Sequence, residues 1–221
     1  MLQALFSRQL NAHLVSEAVA TILANEEANQ RALAEAAGLD PEPLRVRVYI
    51  GRSAPITDWI DVTSETDVSP IINVRLDRTE YPGGNVIEQQ RDQVRIPVEC
   101  FAVGVASQSP DGFVHAETLS LERLYSVVAF ARKVLMAAEN TYLGMRGVVS
   151  KRWIESESYL PVDFDQDPRT QHVRACKLSL VADSYELSPQ TTGVPMASVR
   201  VRLLKASDGQ VLASSLILAE E

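Results

Sequence analysis

Apolar residues recur along this chain with two periods, one near 3.6 and one of 2, and the two periods divide it into predicted helices and strands. Residues from about Asn11 to Ala37 read as one long helix, rich in Ala, Glu and Leu, ended by Gly38 and Asp40-Pro41. Leu14, Ala18 and Ile22 give it an apolar stripe in the first half, whereas "NEEANQRALAEAAG" is polar and predicts a second half that reaches beyond the core. A second helix is predicted over Ala116–Asn140, with Leu121, Leu124, Val128, Ala131 and Leu135 on one face.

Period-2 stretches fall between and after the helices. "LRVRVYIG" (44–51) sets Leu44, Val46 and Val48 against Arg45 and Arg47, and "ITDWIDV" (56–62) is a candidate partner for it. The clearest pair is "IINVRLDR" (71–78) with "QVRIPVECFAVGVA" (93–106), where Pro97 marks an edge or a bulge because it cannot donate to a ladder. Further strands are predicted at 148–159 and 172–183. A C-terminal hairpin turns around Ser207-Asp208-Gly209. The order helix, strands, helix, strands predicts an α+β fold with a mainly antiparallel sheet packed against two long helices, plus that hairpin. It divides the chain into a core domain with its N-terminal helix (1–187) and a hairpin extension (188–221), which either joins the core sheet or reaches a neighbour.

Between the best pair of strands lies "DRTEYPGGNVIEQQ", with Pro82-Gly83-Gly84-Asn85 as turn chemistry. A phosphate-binding loop would pass from Gly-rich sequence directly into a helix N-terminus carrying a Lys. Here the loop leads into another strand, so a nucleotide site is not expected and the segment reads as a long hairpin loop.

Composition narrows the function classes. A formal net charge of -8 argues against a protein that grips nucleic acid, since no basic cluster exceeds "RVR" (45–47), "KR" (151–152) or "RVR" (200–202). No stretch approaches the ~18 apolar residues of a membrane span. The N-terminal segment lacks the pattern of a signal peptide, which predicts a cytoplasmic origin. Cys100 and Cys176 each sit in an apolar alternating run and read as buried free thiols, which come close only if their strands are neighbours.

Catalytic and metal motifs do not emerge. His13, His115 and His172 are far apart, and Asp163, Asp165 and Asp167 lack the Gly and Glu of a calcium loop. Asp77, Glu80 and Asp92 could converge as a carboxylate group, although charges on an exposed loop are the simpler reading. Trp59 and Trp153 are candidate anchors, and partial burial explains Trp153 as well. No catalytic residue, cofactor site or metal site is assigned, so an enzyme is the weaker class.

The order of these elements resembles the tail-terminator and neck (tail-completion) proteins of long-tailed bacteriophages. The resemblance rests on the N-terminal helix, "SPIINVRLDRTE" (69–80), the long loop into "DQVRIPVECFAVGV" (92–105), and the helix "LERLYSVVAFARKVLMA" (121–137). "SKRWIES" (150–156) and "ACKLSLVADSYE" (175–186) complete it, covering roughly the middle two-thirds of the chain. It implies a structural virion protein, assembled in the host cytoplasm and forming a six-fold ring that ends the tail tube and joins it to the connector. The implied partners are other copies of the chain, the tube protein, the neck or connector protein, and a sheath protein if the tail contracts. DNA would pass an acidic bore without specific binding, and no membrane is involved. The implied interface residues are Glu26, Glu27 and Arg31 on the polar half of the first helix, with Asp77, Arg78, Glu80, Tyr81 and Asn85 in the loop. Two other readings stand beside this one. One is an α+β domain that binds or transforms a small molecule, and the other is a regulatory or contractile-injection component of the same fold.

Overall fold

The computed structural model describes residues 11–59, 68–82, 89–109, 112–160, 171–187, 198–204 and 211–218. The chain divides into two compact units, 1–187 and 188–221. The fold of the first is α+β. Its elements in chain order are α1 (Asn11–Ala36), β1 (Arg47–Ile50), β2 (Ile71–Val74), β3 (Arg78–Glu80), β4 (Gln89–Val105), β5 (Ser107–Ser109), β6 (Gly112–Val114), α2 (Ala116–Met136), β7 (Val149–Leu160) and β8 (Gln171–Leu187). The main sheet runs β1-β2-β4-β8-β7, with β3 also paired to β4. The second unit is an antiparallel hairpin of β9 (Ser198–Leu204) and β10 (Val211–Leu218), with a register shift between Val211 and Ala213.

The sheet is mixed. Every pairing of β4, β7 and β8 is antiparallel, but β1 joins β2 in parallel, with Arg47 opposite Ile71 and Ile50 opposite Val74. This corrects the expected partnership of 44–51 with 56–62. Pro55–Trp59 forms a 3-10 turn, consistent with a Pro that fixes φ and donates no hydrogen bond, and residues 60–62 lie outside the described residues. Leu44 belongs to the short 3-10 turn Glu42–Leu44 rather than to the strand.

Alternation along β4 and β8 sorts side chains onto the two faces. Val94, Ile96, Val98, Cys100 and Ala102 stand opposite Ala182, Leu180, Leu178, Cys176 and Arg174. The apolar members of these pairs are buried in one cluster with Val15, Val19 and Leu23 of α1 and Leu124, Val128 and Leu135 of α2. Both helices therefore cover one face. The buried stripe of α1 is Ala12, Val15, Ser16, Val19, Ala20 and Leu23, one position on from the expected Leu14, Ala18 and Ile22, which are half-buried at its margin. Small Ala and Ser let α1 lie close, so the helix turns its narrow side inward.

α1 ends in a Schellman motif. Gly38 adopts φ +71°, its N–H reaches Glu35 O at 3.0 Å and that of Leu39 reaches Ala34 O at 2.9 Å. α2 ends at Met136, short of the expected Asn140, and a 3-10 turn follows. Arg152 of β7 donates to Leu135 O and, at 2.6 Å, to Ala137 O, while Asn140 Nδ2 donates to Val134 O at 2.9 Å. These donors satisfy carbonyls that a helix end leaves without partners. The start of α2 crosses β4 at Gly104. A Cβ there would lie 2.6 Å from Ser120 N and nearer still to Ala116 O, so only glycine admits the helix.

Pro97 lies in the central strand β4, which corrects half of the expectation that it marks an edge or a bulge. Arg75 N–H donates to Pro97 O at 3.0 Å, but Pro97 has no N–H to return. The partner strand is interrupted there, between β2 and β3. Pairing resumes with both Asp77 and Arg78 opposite Arg95, because Asp77 N–H donates to Arg95 O at 3.1 Å and Arg78 holds the register position. Two residues against one is a β-bulge. The expected long loop is thus shortened on both sides, by β3 at 78–80 and by β4 beginning at Gln89.

Candidate assembly surface

The sheet face opposite the helices is covered by Trp59 over Ile71, Val103 and Val173, and its uncovered part carries linked charges. Arg95 pairs with Glu80 at 3.1 Å and also with Glu155, and Arg78 reaches Glu80 at 2.9 Å. Arg75 pairs with Glu99 at 3.3 Å. Glu99 also accepts from Asn73 Nδ2 at 3.0 Å, and the fully buried Asn73 holds both backbone groups of Arg52, at 2.9 and 3.1 Å. Asp183 has no solvent exposure, yet binds Arg91 at 2.6 Å and Lys151 at 3.2 Å. Burial alone would push its carboxyl pKa up. Hydrogen bonds from Arg91, Lys151 and Gln93, with the nearby Arg91 charge, outweigh burial and hold the pKa below its ordinary value. Lys151 also lies over the Trp153 ring, 5.0 Å from its centre.

On the helix side there is an open cleft of about 1110 Å³ between the second half of α1, the 40–46 turn and α2. Leu44, Val46, Val127, Phe130 and Val134 supply its apolar lining, and Leu44 is 43% exposed. Glu26, Asp40, Glu42, Glu122 and Glu139 outnumber Arg45, Arg123 and Lys133 around it. Two of those cations already have intramolecular acceptors, since Arg45 pairs with Glu42 at 3.6 Å and Arg123 donates to Val103 O at 2.8 Å. The cleft presents apolar area within a rim that stays acidic at Glu26, Asp40, Glu122 and Glu139, since Glu42 is itself paired with Arg31 and Arg45.

The residues expected at an interface fall into two groups. Glu26 lines the cleft and accepts from Gln30 at 2.6 Å. Glu27 and Arg31 brace α1, because Glu27 accepts from Val46 N–H at 3.4 Å and Arg31 reaches Glu42 at 3.4 Å. Arg78 and Glu80 sit on the uncovered sheet face with the exposed Asp77 and Tyr81 beside them. Asn85 lies outside the described residues, as do Asp163, Asp165 and Asp167. The structure thus brings Glu26 to the cleft, uses Glu27 and Arg31 to brace α1, and sets the β3 group on the other side of the sheet. Leu44 and Phe130 line the cleft without belonging to the expected interface set. Leu44 reads as a strand residue from its alternation, and Phe130 sits just off the apolar stripe of α2, which is the signal that could have marked it.

Asp77, Glu80 and Asp92 do not converge. Glu80 is held by Arg95 on the uncovered face, whereas Asp92 is buried on the opposite face and accepts from Ser184 Oγ at 3.3 Å. His172 contacts Ser120 Oγ at 3.3 Å and His115 stacks edge-on against Phe113 at 5.0 Å. Trp59 is fully buried with Ile71 and Val103. Among the described residues no group of His, Cys, Asp and Glu is arranged to hold a metal ion, and no helix is long and apolar enough to cross a membrane. No protein-family model and no curated protein matches this chain.

Proposed function

We propose that this protein is a structural ring component at the head-proximal end of a phage tail, ending the tube and joining it to the connector. The observation that carries the reading is the open, apolar-floored and acid-rimmed cleft beside α1. A closed cyclic ring is a heterologous assembly and needs two unlike surfaces on each copy. The cleft offers one, and the charged face bearing Arg78, Glu80 and Arg95 offers a chemically different one across the sheet. Glu26 and Tyr81 are the contacts expected first on the two surfaces. The other expected partners are the tube protein, the neck protein and, in a contractile tail, the sheath protein. The acidic chain keeps passing DNA from sticking.

Light scattering over a range of concentrations tests this reading. Its expected result is a particle near six times 24.3 kDa. Leu44→Arg is expected to reduce that particle to protomers that keep the wild-type circular dichroism spectrum, because the side chain is exposed and the protomer core is untouched. A strict monomer that adds to no purified tail tube would sink the proposal.

The cleft also favours a second reading. Its volume is that of a small-molecule site, and saturable binding of a metabolite by a monomer would support that reading.

A further inference from the structure

Cys100 and Cys176 stand directly opposite one another on the two longest strands of the sheet. Both are free and both have no solvent exposure. The ladder fixes what kind of pair they are. Pro97 and Arg95 direct their carbonyls to the β2–β3 side, and Tyr185 N–H donates to Val148 O at 2.9 Å on the β7 side. Odd positions of β4 and β8 therefore bond outward, and the even positions Cys100 and Cys176 exchange hydrogen bonds with each other. Both side chains belong to the helix-covered cluster.

We propose that Cys100 and Cys176 form a reversible intramolecular disulfide, a modification site that ties β4 to β8 within the core. Cα atoms of a hydrogen-bonded antiparallel pair lie about 5.5 Å apart, inside the ~4.4–6.8 Å that disulfides span. Their Cβ atoms, roughly 4.5–5.5 Å apart in such pairs, must draw together by about 0.7–1.7 Å to reach the ~3.8 Å typical of a disulfide. The bond is therefore under tension and easily reduced.

The oxidant is a hydroperoxide small enough to enter a transient opening of the sheet. Burial pushes both thiols above their ordinary range. The effect is smaller for Cys176, at about 11, than for Cys100, to which the neighbouring Cys176 adds. Whichever thiol ionises first attacks: its sulfur takes one peroxide oxygen to give a sulfenic acid, and hydroxide leaves. The other cysteine then attacks that sulfur, the S–S bond forms, and the sulfenic oxygen departs as water. In sum two thiols and one hydrogen peroxide give one disulfide and two waters.

The test is intact mass and peptide mapping of the full chain after hydrogen peroxide treatment at pH 7, 8 and 9, with folding followed by circular dichroism. The expected result is a loss of about 2 Da in folded, uncrosslinked chains. The rate should rise with pH as thiolate accumulates, dithiothreitol should restore the mass, and Cys100→Ser should abolish the loss. Two outcomes would overturn the proposal. One is that both thiols survive in the folded chain while guanidinium-unfolded chain is oxidised. The other is that only intermolecular disulfides or higher oxygen adducts appear.

Discussion

From Arg91 to Glu99 the two faces of β4 differ in chemistry. Even positions, from Val94 to Ala102, are apolar and buried against α1 and α2, whereas odd positions such as Arg91, Arg95 and Glu99 enter ion pairs. Neighbouring residues on one backbone thus contribute in different ways. Inward side chains remove apolar area from water, a term that is additive and indifferent to pH. Outward charges contribute according to how far a partner excludes water, which separates the sealed Asp183 from the half-exposed Arg75.

Substitutions that stress each side should rank accordingly. On the covered face Gly104→Val is expected to cost about 3 kcal/mol or more, because the new side chain meets the backbone of α2 rather than a movable side chain. The urea midpoint should fall with an unchanged slope. A loss under about 1 kcal/mol would show that the helix shifts freely. On the uncovered face Asp183→Asn is expected to cost about 1–3 kcal/mol, since it leaves Arg91 and Lys151 without a carboxylate.

That variant also carries a pH signature. Folding lowers the Asp183 pKa, so its stabilisation is complete above the unfolded value of about 3.9 and is lost as pH falls through the lower folded value. The wild-type chain should therefore lose stability on acidification below about pH 4 more steeply than Asp183→Asn. Parallel acid curves would break the argument. Least of all, Arg75→Ala should change stability by no more than about 0.5 kcal/mol, and the change should vanish at 1 M salt.

What the sequence makes legible follows the range of the physics involved. Both helices, the Val94–Ala102 alternation and the hairpin strands rest on local periodicity and are readable from the chain. The β1–β2 parallel pairing is not readable, because local alternation carries no information on strand direction. Arg91 and Asp183 meet across 92 positions, and no short-range pattern marks them as partners. Cys100 and Cys176 were conditional neighbours, and the register turns that condition into a direct opposition. The shift of the α1 stripe by one position has a different cause. Hydrophobicity favours Leu14 and Ile22, but close approach favours Ala12, Ser16 and Ala20. Of the candidate site, the sequence marks Glu26 as a polar residue of α1, whereas the cleft it lines is not legible, since it arises where separated segments meet.

The bulge at Asp77 has a genetic consequence. Although side chains alternate, the bulge absorbs the extra residue, so the next three keep the faces of an unbroken ladder. With Asp77 in place, Leu76 packs toward the core, while Arg78 and Glu80 emerge beside Arg95. An in-frame loss of that single codon would leave Arg78 alone opposite Arg95, straighten the ladder and keep both charges on the outer face. Loss of Leu76 as well would reverse the alternation and carry Arg78 and Glu80 under the helices. At this point the gene tolerates the loss of one codon but not of two, and a reading of conserved chemistry alone would overlook the rule.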